Sequence, residues 1–137
     1  MSSSEPTYES SKQRLTEIRQ TLLDLHKALL DSERTAYEIT HGPIASPSAF
    51  LQMLINDPTF AWLRPITALV VQIDETLAAK KPPAAAQDFD RLVTDTGAFL
   101  SPSSEANGFW QRYEVAMDRD PAIAILHVQL CKQLNEK

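Results

Sequence analysis

Glycine is scarce in this chain: three residues in 137. Hairpin-rich sheets draw on glycine for turns that need positive φ, so the scarcity points away from an all-β fold and toward helices. There is one cysteine, Cys131, which excludes an internal disulfide. Residues 1–7 contain neither a basic patch nor an apolar core of the kind that opens a secretory signal, and no stretch approaches the length required to span a bilayer. Lys and Arg number 13 against 18 Asp and Glu, a net charge of −5, and the basic residues are scattered. That balance argues against nucleic acid or an anionic membrane surface as a partner, because both demand clustered cations. A cytoplasmic setting is the expectation.

What is present is ordinary for one globular domain: 43% apolar and 23% charged residues. Residues 1–7, polar and serine-rich, are expected to form a disordered leader, and 8–137 a single helical domain. Leu15, Ile18, Leu22, Leu25 and Leu29 alternate spacings of three and four, and Ala36 and Ile39 continue the register. This predicts a long amphipathic helix with a near-heptad seam, stopped by Gly42-Pro43.

Four Ser-Pro or Asp-Pro pairs then read as helix starts: Ser46-Pro47, Asp57-Pro58, Ser101-Pro102 and Asp120-Pro121. The first opens a short helix carrying Phe50, Leu51, Leu54 and Ile55. The second opens a longer one in which Pro65 predicts a kink or break, followed by a stripe of Ile66, Leu69, Val70, Ile73 and Leu77. Phe89, Leu92, Val93, Thr96, Phe99 and Leu100 form another stripe, as do Phe109, Trp110, Tyr113, Ala116 and Met117, and finally Ile123, Leu126, Leu130 and Leu134. The fold class expected is all-α: an antiparallel bundle of four to five helices, with a long N-terminal helix and a proline-kinked second long helix.

Chemistry has few footholds. On the first helix, His26 and Glu33 fall between the Leu15/Leu22/Leu29 and Leu23/Leu30/Tyr37 lines, where a charge is costly unless paired. The structural reading is a buried network in which Glu33 meets an arginine, His26 or the Tyr37 hydroxyl. The functional reading is a carboxylate lining a pocket inside the bundle, with Arg64 as its partner and Asp74 as a second anchor.

Metal sites are poorly supported. Glu38-Ile-Thr-His41 is the sole Glu-x-x-His, at a helix end, whereas a di-iron bundle needs two such pairs facing inward. His127 and Cys131, four apart, offer two of the four ligands that a structural zinc requires. Neither a metal nor any other cofactor is expected. Nucleophile elbows, phosphate-cradling loops and dinucleotide fingerprints are absent, and the balance leans against an enzyme.

Three segments, Tyr37-Glu-Ile-Thr-His-Gly-Pro-Ile, Phe50-Leu-Gln-Met-Leu-Ile-Asn-Asp-Pro-Thr-Phe-Ala-Trp-Leu-Arg-Pro and Gln72-Ile-Asp-Glu, share a cadence. Over roughly residues 20 to 80 it resembles a group of small uncharacterised all-helical bacterial proteins. The resemblance implies a bacterial cytosolic protein and brings no activity, cofactor or site residue. Two functions therefore compete. One is a non-enzymatic helical interaction module that self-associates or binds a protein partner. The alternative is a ligand- or metal-binding bundle around Glu33 and Arg64, with the small molecule unspecified.

Overall fold

The computed structural model describes residues 4–80, 83–102 and 108–135. The chain is all-helical. In order it forms α1 (Ser4–His41), α2 (Pro47–Asn56), a 3₁₀ segment (Pro58–Leu63), α3 (Arg64–Ala78), α4 (Ala86–Phe99), α5 (Phe109–Arg119) and α6 (Pro121–Asn135). Among the described residues there is no strand, only an isolated bridge between Lys80 and Pro83. The helix already includes Ser4–Thr7 of the expected leader, and residues 1–3 lie outside the described residues.

α1 is the common support: α6, α4 and α3 pack along it, and α5 and the 3₁₀ segment touch it less extensively. The reason lies in its seam. Leu15, Ile18, Leu22, Leu25 and Leu29 are all completely buried, each burial contributing about 1.5–3 kcal/mol before the entropy of ordering is set against it. The register ends before Ile39, which is 82% exposed although its spacing continues the seam. The helix outruns the elements that cover it, and Gly42, at φ 86°, then terminates it.

The proline-linked starts behave unequally. Ser46 Oγ accepts from Ala49 N at 3.0 Å and opens α2. Asp57 Oδ1 accepts from Thr59 N at 2.9 Å and opens the 3₁₀ segment. Asp120 Oδ1 accepts from Ala122 N at 3.0 Å at the head of α6. Ser101-Pro102 lies in a turn after α4, with no helix opening at these two residues. Residues 103–107 lie outside the described residues, and α5 begins only after Gly108, at φ 75°.

Pro65 gives a break rather than a kinked long helix. It sits in the first turn of α3, where a missing N–H costs nothing, and the preceding turn tightens into the 3₁₀ segment. That segment buries Phe60, Trp62 and Leu63, and Trp62 packs on Phe109 at 5.4 Å between ring centroids. The stripes of α3, α4, α5 and α6 bury Ile66, Leu69, Val70 and Ile73; Phe89, Leu92, Val93 and Thr96; Phe109, Tyr113 and Ala116; and Ile123 and Leu130. Of the remaining stripe residues, Leu100 is buried and Leu77, Phe99, Trp110, Met117, Leu126 and Leu134 are partly buried.

Candidate functional site

Glu33 is buried as its position on α1 predicts, but its partner is not Arg64. Arg119, in the last turn of α5, places Nη2 at 2.7 Å from Glu33 Oε1. The same guanidinium donates through Nε and Nη2 to Ser32 Oγ at 3.1 and 2.9 Å. Ser32 is itself buried, so this cation closes a buried polar pair on α1 and ties the end of α5 to it. Its charge also suits a helix C-terminus. Arg119 had a sequence signal: it follows Ala116 by three residues, on the side of α5 that faces inward.

Arg64 serves another purpose. Its Nη2 donates to Ile55 O at 2.6 Å and its Nε to Leu54 O at 3.4 Å. These carbonyls belong to the last turn of α2, which has no intrahelical donor left for them. Asp74 is paired with Arg19 of α1 across a part-exposed ion pair. His26 Nε2 meets Thr67 Oγ1 of α3 at 2.7 Å, and burial holds its pKa below the usual histidine value. Tyr37 stacks on His41, centroids 4.3 Å apart, and leans on Phe60. The five residues expected to share a pocket are therefore distributed among separate contacts.

The metal candidates are likewise occupied with structural contacts. Glu38 Oε2 accepts from Ile44 N at 2.7 Å and so braces the turn after α1, while His41 Nδ1 lies 3.3 Å from Tyr37 O. His127 bridges two partners, Tyr113 Oη at 2.8 Å from Nδ1 and Cys131 Sγ at 3.5 Å from Nε2. Burial lowers the His127 pKa and raises that of Cys131; it raises Tyr113 too, with a smaller contribution from Cys131. All three shifts favour the neutral forms, so Cys131 is not an activated thiolate. Among the described residues, no group of three or more His, Cys, Asp or Glu side chains is placed to hold a metal ion.

Two surfaces remain that these pairings do not explain. The first is α2. Its ten residues carry no charge and Phe50, Leu51, Met53, Leu54 and Ile55 lie within it, yet none is buried. Leu51 and Ile55, one turn apart, are each 56% exposed. The second is a groove of about 750 Å³ between the 3₁₀ segment with the start of α3 and the start of α5. Sequence reasoning missed it, because its walls are about 50 residues apart along the chain.

No helix among the described residues is long and apolar enough to cross a membrane. In comparisons with known proteins, no family model, no curated protein and no solved structure matches this chain.

Proposed function

We propose that this chain is a non-enzymatic helical interaction module that self-associates through the exposed face of α2. The observation that carries the proposal is an uncharged, strongly apolar helix with no buried residue. Exposed apolar faces of this kind on a folded domain mark contact surfaces. The near-heptad seam of α1 lends no support, since its Leu15, Ile18, Leu22, Leu25 and Leu29 are buried within the chain. A second copy suits the α2 face because a two-fold contact places each surface against itself. With no charged residue on α2, that meeting brings no like charges together within the helix. The net charge of −5 opposes association at longer range, so added salt strengthens it.

The same proposal takes the helices as an antiparallel bundle resting on α1. Its support is the packing of α3, α4 and α6 along that helix and the single-residue connection between α5 and α6. A bacterial cytosolic setting also belongs to it and rests on the sequence resemblance alone.

Sedimentation velocity tests the association. The expected result is a dimer at tens of micromolar that becomes a monomer in the Leu51→Asp/Ile55→Asp double variant, with unchanged helical circular dichroism. A wild-type chain that stays monomeric, or a dimer indifferent to the double variant, sinks the proposal.

A further inference from the structure

The exposed face of α2 is not uniformly apolar. At about 100° per residue, Leu51 and Ile55 form one row, and Gln52 and Asn56 form a second row beside it. All of these side chains are exposed. Phe50, Met53 and Leu54 lie on the other side of the helix, partly buried against the core. Within the second row, Asn56 Nδ2 donates to Gln52 Oε1 at 3.3 Å. Gln52 Nε2 and Asn56 Oδ1 have no partner among the described residues. The row therefore offers a donor at one end and an acceptor one turn along.

Only one orientation lets like meet like. When two copies of a helix pack about a two-fold axis that crosses them, they run antiparallel and each row faces its own counterpart. When the axis runs along the helices, they lie parallel and each row faces the other row. The parallel arrangement would set Leu51 and Ile55 against amides and leave those amides covered and unpaired, which is costly. The antiparallel arrangement avoids that cost and also opposes the two helix dipoles.

We propose that Gln52 and Asn56 set the orientation and the self-selectivity of the α2 contact, an inference that rests on the self-association proposed above. The two α2 helices run antiparallel. Gln52 Nε2 of each copy donates to Asn56 Oδ1 of the other, so the amides of both copies close into one hydrogen-bonded ring. Leu51 and Ile55 pack against their counterparts alongside it. The apolar row supplies buried area, and the amide row supplies selectivity. An apolar helix of another protein can cover the first row but leaves the second unmatched.

Charge exchange on the full-length chain tests this by sedimentation velocity. Gln52→Glu/Asn56→Glu and Gln52→Lys/Asn56→Lys place good helix formers at exposed positions, so α2 persists. Each variant alone is expected to dimerise at least about tenfold more weakly than wild type, because like charges then face each other. An equimolar mixture of the two is expected to recover a dimer. Added salt weakens that mixed dimer, the opposite of its effect on wild type. A monomeric wild-type chain overturns both this inference and the self-association beneath it. A different result overturns this inference alone: a wild-type dimer that Leu51→Asp/Ile55→Asp abolishes, with either charged variant dimerising like wild type or the mixture failing to recover.

Discussion

α1 and α2 make an instructive pair. α1 is rich in charged and polar residues, yet Leu15, Ile18, Leu22, Leu25 and Leu29 within it are completely buried. α2 is uncharged and far more apolar, yet none of its residues is fully buried: Phe50, Met53 and Leu54 pack partly buried against the core, while Leu51 and Ile55 are exposed. Composition therefore does not rank the two by burial. Neighbours do: three other helices cover the apolar stripe of α1, whereas ten-residue α2 turns Phe50, Met53 and Leu54 toward the core and leaves Leu51 and Ile55 exposed. α1 is held by packing. α2 is held by one partly buried side, with Phe50 edge-on to Phe60, and at its ends by Ser46 and Arg64.

The sharpest way to break this contrast is to truncate one leucine in each helix. Leu22→Ala is expected to cost about 2–5 kcal/mol in urea unfolding, through lost burial and the cavity left behind. Leu51→Ala is expected to stay within about 0.5 kcal/mol when measured on monomer at low concentration. Equal losses would erase the distinction.

Glu33→Gln comes next, with an expected loss of about 1–3 kcal/mol. It leaves the buried end of the Arg119 contact without its charge, and Arg119→Ala should show non-additive behaviour with it in a double-mutant cycle. Additive losses would mean that the two side chains do not act as a pair.

Ser46→Ala removes the α2 cap at an expected cost of about 1 kcal/mol. If end-capping helps to hold α2, hydrogen exchange should speed up across 47–56 and leave the α1 seam unchanged. Faster exchange in both helices would show that α2 is coupled to the core after all.

The smallest expected effect is on pH dependence. Burial lowers the pKa of His26 and of His127 below 6.5 in the folded chain. Between the folded value and 6.5 the unfolded chain binds more protons, so stability is complete above 6.5 and declines as pH falls through the folded value. His127 faces Tyr113 and Cys131, both shifted toward their neutral forms, and His26 faces the neutral Thr67 hydroxyl. His127→Gln is therefore expected to flatten the acid slope of unfolding free energy measured between neutral and mildly acidic pH. An unchanged slope would place the titrating group elsewhere.

Much of the fold was legible because helical burial is a local, periodic property. The α1 seam, the α3 and α4 stripes, and the Ser46, Asp57 and Asp120 caps can each be read within a few residues of chain. Ile39 shows the limit of that reading. Spacing says which face a residue takes but not whether anything covers the face.

The candidate sites were less legible. That Glu33 would be buried and paired follows from its place between two apolar lines, but Arg119 is 86 residues away in the chain. Arg64 was drawn instead to the open carbonyls of α2.

By itself, then, the sequence determined an all-helical chain, the helix that would carry its core, and the cost that Glu33 had to meet there. These follow from the 3.6-residue period and from the penalty on a buried charge, which need no knowledge of what lies opposite. Only the tertiary structure decided that Leu51 and Ile55 of α2 would remain exposed, that Arg119 rather than Arg64 would answer Glu33, and that Trp62 and Arg112 would share a groove. Those outcomes depend on contacts between distant segments, whose closure is set by the packing of the whole chain rather than by any local pattern.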